Sequence, residues 1–148
     1  MWRFDTVPIG DALGADTWGD SNWALHGGGG IWSALSLDPT TAELFAPVGN
    51  PVPDFAPDER RGDNLFTNSA LVLDARTGAP RWWYQLQAND SRDYDLAAAP
   101  MLFRNSQHES MMAVAGKDGL LHIVSRTTLN EQDELYLRDI VTFLGGWQ

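Results

Sequence analysis

The chain has 148 residues, 43% of them hydrophobic, 11% aromatic and 20% charged. That composition supports a folded domain of ordinary size and excludes a disordered acidic tail. Lys and Arg number 10 against 20 Asp and Glu, a formal net charge of -10, which is the wrong sign for gripping nucleic-acid phosphates or an anionic membrane.

There is no cysteine, so disulfides, thiolate metal sites and cysteine nucleophiles are excluded. No apolar run approaches the roughly 20 residues of a membrane-spanning helix. The opening Met1-Trp2-Arg3-Phe4-Asp5 lacks the basic-then-apolar pattern of a secretory signal, leaving a cytosolic protein or an N-terminus that lies upstream. His26, His108 and His122 are too far apart for a zinc motif.

In chain order, residues 2–8 alternate bulky and polar side chains up to Pro8 and predict a strand. Residues 9–30, rich in Gly, Asp and Asn and ending in the run Gly27 to Gly30, predict a loop. Four strands are then expected in quick succession, near 31–37, 42–48, 69–74 and 80–86, with turn signals at Asp38-Pro39, Gly49-Asn50-Pro51 and Arg76-Thr77-Gly78. The cycle restarts with strands near 95–103, 110–116 and 120–124, the last two joined by the hairpin turn Lys117-Asp118-Gly119. Residues 135–141 read equally as strand or helix.

Fourteen glycines, eight prolines and seven tryptophans punctuate the chain, and turn and aromatic signals recur once per four strands, the pattern of β-propeller blades. The fold class expected is all-β, a partial propeller of about two four-stranded antiparallel blades. The expected division is the last strand of one blade (2–8), an insert loop (9–30), a complete blade (31–87), most of the next blade (93–128) and an unassigned tail (129–148). Stacked repeats need about three units for stability, so the chain is expected to be a piece of a larger ring.

Several runs resemble the quinoprotein alcohol dehydrogenases, eight-bladed propellers that use pyrroloquinoline quinone (PQQ). The resemblance rests on Thr17-Trp18-Gly19-Asp20 through Trp23 and Gly27-Gly28-Gly29-Gly30-Ile31-Trp32, on Val48-Gly49-Asn50-Pro51, and on Gly62-Asp63-Asn64-Leu65-Phe66-Thr67. It continues with Leu73-Asp74-Ala75-Arg76-Thr77-Gly78 and Trp82-Trp83, a tryptophan-docking repeat, then Asp90 to Asp95, and Gly116-Lys117-Asp118-Gly119 with Arg126-Thr127-Thr128. Taken in order, these motifs cover residues 2–128. Family members have several hundred residues, so the resemblance implies that much of the enzyme lies outside this chain.

The resemblance implies site residues. Trp32 stands where the family places the indole beneath PQQ, and flat rings stack well on indole. Asn50 offers an amide oxygen suited to Ca2+ or a lanthanide, although Gly-Asn-Pro is also explained as a plain turn. Asp93 matches the catalytic aspartate that takes the alcohol proton while hydride passes to the quinone, and it also stands near the metal. Asp95 matches the second aspartate associated with lanthanide use. Both aspartates are expected to point the same way from an extended strand, and their charges repel unless a cation lies between them. Lys117 would set its ammonium beside the quinone oxygen, or else is only a hairpin lysine.

Three departures stand out: Gly30 where a threonine is usual, Arg92 in place of tryptophan, and Pro47 in place of threonine. The family further implies an alcohol, polyol or sugar substrate, cytochrome c or a membrane quinone as electron acceptor, the remaining propeller blades as partners, no nucleic acid, and a periplasmic location. The alternatives are a non-catalytic propeller serving as an envelope scaffold or assembly protein, and an inactive truncated gene product.

Overall fold

The computed structural model describes residues 1–19 and 27–126 and the backbone of 141–143. Its strands are β1 (Gly27–Gly28), β2 (Ser36–Asp38), β3 (Glu43–Pro47), β4 (Pro51–Val52), β5 (Ser69–Asp74), β6 (Pro80–Gln85), β7 (Met101–Arg104), β8 (Ser110–Ala115), β9 (Leu121–Ser125) and β10 (Val141–Phe143). Two antiparallel four-stranded sheets result, ordered β2-β3-β5-β6 and β7-β8-β9-β10, with a small β1-β4 pair beside the first. Apart from two single 3-10 turns, Ala15–Trp18 and Pro57–Glu59, no helix occurs among the described residues. The architecture is an all-β partial propeller of two blades.

Strand β5 shows why the first blade folds as it does. Its residues alternate between two buried faces: Ala70 and Val72 turn to one side, Leu71 and Leu73 to the other, and all four are essentially inaccessible. A strand that is apolar on both faces needs cover on both. On the first side lies the interface with the second blade, where Phe45, Ala70, Val72, Trp82 and Tyr84 pack with Leu96, Met112, Val114 and Val124. On the other side Ala46, Val48, Leu71 and Leu73 pack with Phe66, Trp83, Phe4 and Leu65. Edge-to-face ring pairs link Phe4 to Phe66 at 5.1 Å and Phe66 to Trp83 at 4.9 Å, a geometry favoured by ring quadrupoles.

The strand expected at 2–8 is corrected. These residues join no ladder among the described residues. They dock by side chains instead. Trp2 donates its indole N–H to Ala75 O at 3.1 Å and lies on the Gly78 turn, where a Cβ would come within 2.8 Å of its Cγ. Gly78 is at φ 75°, so the turn needs glycine both for its backbone and for the ring above it.

The strand expected from residue 31 begins only at Ser36, because residues 30–32 are drawn toward the 49–50 turn. The glycine run, expected wholly as loop, contributes β1. The segment with two readings at 135–141 lies outside the described residues except for Val141, which opens β10.

Candidate functional site

Backbone hydrogen bonds zip the glycine run to the turn after β3. Gly29 N donates to Asn50 O and Gly49 N donates to Gly30 O, both at 2.9 Å, and Asn68 N donates to Gly49 O at 2.9 Å. Side chains are barred from this seam: a Cβ at Gly28 would strike Pro51 Cα at 2.8 Å. The seam carries the chain to Trp32. The benzo edge of that indole lies over Gly30 and Gly49, for a Cβ on Gly30 would meet Cε3 at 3.2 Å and one on Gly49 would meet Cζ3 at 2.5 Å. Gly30, noted above as a departure from the threonine pattern, thus gives the indole room to lie on the backbone. Trp32 remains 58% exposed, an unusual position for so large an apolar ring.

The Gly49 position also faces Asp95, whose Oδ1 would lie 2.8 Å from an added Cβ. Asp95 is buried, at 4% exposure. Its Oδ1 accepts from Asn50 N at 3.0 Å. Its Oδ2 accepts from Lys117 Nζ at 2.5 Å, and its backbone oxygen accepts from Lys117 N at 3.1 Å. Asp93 Oδ2 accepts from the same ammonium at 2.9 Å.

The cation between the two aspartates in this chain is therefore Lys117. The hydrogen bonds that Lys117 donates to Asp95 first and Asp93 second hold the ammonium well above the usual lysine range, because both favour the charged form. The geometry expected for the aspartates is corrected in one respect. Asp93 lies at φ 59°, a left-handed loop position rather than an extended one, and both carboxylates still reach a single nitrogen.

Asn50 donates from Nδ2 to Asp54 Oδ1 at 2.8 Å and to Pro51 O at 3.2 Å. Its Oδ1 accepts no hydrogen bond among the described residues. The five expected residues, Trp32, Asn50, Asp93, Asp95 and Lys117, are thus gathered around the Gly49 turn by contacts that link four separate stretches of chain.

Sequence reasoning missed the residues that hold these loops. Arg60 is fully buried and donates to Pro53 O at 2.9 Å, Asn64 Oδ1 at 2.8 Å, Asn89 Oδ1 at 3.1 Å, Asp54 O at 3.1 Å and Asp90 O. Burial pushes its pKa down, against the opposing charges of Asp90 and Asp54. One guanidinium thereby ties the 53–64 loop, including the partner of Asn50, to the loop that carries Asp93. Asp90 in turn caps that loop, accepting from Arg92 N at 2.9 Å and Tyr94 N at 2.7 Å, which is an Asx-type turn. In sequence Arg60 is one of two adjacent arginines in a charged run, and nothing there marks it as buried.

Among the described residues no three His, Cys, Asp or Glu side chains gather as a metal cluster. Around this turn the chain offers the hard oxygens of Asn50, Asp93 and Asp95, the right chemistry for a calcium or lanthanide ion but fewer than the six to eight such ions take. The exposed indole face suits a flat ring. Asn68, fully buried beside Gly49, has no partner for Oδ1 or Nδ2 among the described residues, and an amide left so calls for a polar group to meet it. The residues present fit a metal-associated planar cofactor in part.

Comparison with known proteins agrees. The family described as "PQQ: Glucose/ethanol/alcohol dehydrogenase, beta-propeller domain" matches residues 1–130. The quinohemoprotein alcohol dehydrogenase ADH IIB of Pseudomonas putida is 32% identical over 142 residues, covering 85% of this chain and 20% of the relative. A solved europium-containing methanol dehydrogenase superposes with a TM-score of 0.71 at 27% identity, over 79% of this chain and 21% of that one. The quinohemoprotein alcohol dehydrogenase of Comamonas testosteroni does so with a TM-score of 0.63 at 27% identity, over 68% of this chain and 16% of that one. The chain spans about a fifth of the length of curated relatives that it matches. With a family match over most of its length, two antiparallel blades and a tryptophan docked on the blade turn, this chain belongs to the PQQ-dependent alcohol dehydrogenase β-propeller family.

Proposed function

We propose that the chain supplies part of the catalytic site of a dehydrogenase that oxidises an alcohol, polyol or sugar hydroxyl, with PQQ and Ca2+ or a lanthanide as cofactors. The observation that carries this reading is the meeting of Trp32, Asn50, Asp93, Asp95 and Lys117 at the Gly49 turn. When bound, the quinone supplies a two-electron acceptor for the hydride on the alcohol carbon, and the cation supplies a Lewis acid.

The chain's own residues have separate tasks. Asp93 keeps Oδ2 on Lys117, while Oδ1, without a hydrogen bond among the described residues, takes the hydroxyl proton. Loss of that proton and of a hydride turns the alcohol into an aldehyde or ketone. Lys117 stays an ammonium throughout the working pH range and faces negative charge as it develops. Asn50 Oδ1 and the Asp95 carboxylate would hold the cation, and Asp54 keeps the Asn50 amide nitrogen engaged so that its oxygen end stays available. The Trp32 indole forms the floor, and Gly30 and Gly49 let it lie flat.

Electrons leave to a cytochrome c or membrane quinone, further blades complete the ring, and the enzyme works in the periplasm. The test is PQQ retention in the assembled enzyme that carries this segment. Trp32→Ala should lose PQQ on gel filtration in calcium buffer, with blade folding intact by circular dichroism. PQQ retained at the wild-type level would remove Trp32 from the cofactor floor.

A further inference from the structure

The turn that presents Lys117 is tied to the neighbouring blade by a chain of three side chains outside the proposed site. Asp118, next to Lys117 in the β8–β9 hairpin, accepts from Leu120 N at 3.1 Å through Oδ1. Its Oδ2 lies 2.6 Å from Nε2 of His122 on β9. The other ring nitrogen, Nδ1, lies 2.9 Å from the hydroxyl of Tyr84 on β6 of the first blade. The Tyr84 and His122 rings are tilted together, their centroids 5.6 Å apart, and each residue is only 7% exposed. Burial, with the Asp118 carboxylate second, raises the Tyr84 hydroxyl above its ordinary value, so it remains a donor. The arrangement makes Nδ1 the acceptor from Tyr84 and Nε2–H the donor to Asp118, with every polar atom of the imidazole paired.

We propose that Tyr84, His122 and Asp118 are positioning residues that lock the Lys117 hairpin of the second blade onto β6 of the first and so hold the ammonium between Asp93 and Asp95. The geometry supports a specific role beyond blade packing. Two buried polar side chains, Tyr84 and His122, ending on a half-buried carboxylate are costly across an apolar interface unless all are satisfied, and leucine or phenylalanine would pack there without that demand. The chain also ends on the residue adjoining Lys117. It reaches Lys117 through the backbone of a tight turn, where Gly119 N donates to Gly116 O. This inference rests on the proposed site only in taking the Lys117 pairing as the thing positioned.

Lys117 is the only lysine in the chain, so its acylation by acetic anhydride, followed by mass spectrometry, reports on one side-chain amine. An amine held by two carboxylates must leave them to react. Wild-type protein should acylate several-fold more slowly than free lysine, and Asp93→Asn or Asp95→Asn should raise the rate. If the relay positions the hairpin, Asp118→Asn and Tyr84→Phe should each raise it about fivefold, the scale of one net hydrogen bond. Tyr84→Phe removes one hydroxyl and keeps the ring volume, so it serves even where Asp118→Asn fails to fold.

The outcomes separate the two ideas. Wild-type acylation at the free-lysine rate would overturn the Lys117 pairing itself. A protected wild type, released by Asp93→Asn and Asp95→Asn but not by Tyr84→Phe or Asp118→Asn, would overturn the relay alone.

Discussion

Gly49 shows how a single missing side chain can organise a site. Its φ is not in the left-handed region, so alanine would suit its backbone. Space alone forbids it, since the added carbon would lie 2.5 Å from Trp32 Cζ3 and 2.8 Å from Asp95 Oδ1. Gly49→Ala should therefore lower stability by about 1 kcal/mol, the low end of overpacking costs, because the exposed indole can swing aside. It should also shift the Trp32 resonances in a heteronuclear NMR spectrum. Unchanged stability with unchanged Trp32 signals would show that the ring does not lie on this turn.

At this scale the residues of the candidate site were legible beforehand, because Trp32, Asn50, Asp93, Asp95 and Lys117 sit inside motifs with a family likeness. The partnership among them was not. Asp93 and Asp95 read as two like charges awaiting a cation, and the cation they meet comes from a lysine more than twenty residues away. Arg60 gave no signal, because a buried arginine is recognised by the five oxygens around it and those come from loops scattered between residues 53 and 90.

At the scale of elements, the blades are joined by a charge clamp as well as by the apolar core. Arg126, following β9, reaches Asp38 Oδ2 at 2.6 Å and Glu43 Oε2 at 2.7 Å on the first blade, and its guanidinium lies 4.8 Å from the centre of the Phe45 ring. The Arg126 side chain is 7% exposed, Asp38 20% and Glu43 12%. The hydrogen bond from Arg126 is the main influence that lowers Asp38. Burial alone would raise Glu43, but bonds from Arg126, Thr41 and Trp82 together outweigh it.

Both carboxyls thus titrate below their ordinary values in the folded state. Their contribution is complete above the ordinary carboxylate range near pH 4 and is lost as the pH falls through the lower native values. Arg126→Met should cost about 1–2 kcal/mol, because it leaves two half-buried carboxylates without their charged partner, and it should remove the advantage, so that the variant no longer loses stability through this pair on acidification. Urea titrations at pH 7 and pH 3 would check this, and equal acid sensitivity in both proteins would contradict the clamp.

The strands themselves were largely visible in the sequence. Ser69–Asp74 and Ser110–Ala115 are apolar runs bounded by turns, and the ladder simply confirms their pairing. The readings that failed have a common cause. Residues 2–8 carry a strand-like pattern but no described neighbour strand, so their aromatics dock on a turn and on Phe66 instead. Gly27–Gly28 pair with β4 because the close seam needs bare backbone, which a propensity argument scores as loop.

Viewed as a whole, the molecule pairs an acidic surface with uncovered apolar side chains. Leu37 on β2 and Met101 on β7 are 54% and 59% exposed, and Leu35 and Ile31 lie nearby in sequence at 46% and 43%. Strands β2 and β7 are edges of their sheets and lie against one another, so these residues flank the place where the two blades meet. In the isolated chain, the net charge of -10 opposes association while the apolar surface favours it. Sedimentation velocity should show self-association that strengthens from about 0.02 M to 0.5 M salt as the repulsion is screened. A chain that stays monomeric at high salt and tens of micromolar concentration would argue that these side chains need no cover.

Asp93 is proposed as the proton acceptor within a site shared with Trp32, Asn50, Asp95 and Lys117. The most direct measurement is steady-state turnover of the assembled, PQQ-loaded and metal-loaded enzyme carrying Asp93→Asn, with bound PQQ quantified from its absorbance. The expected result is full PQQ content with kcat reduced at least about a hundredfold, the lower end of what a positioned general base contributes. Full PQQ content with wild-type kcat would contradict it.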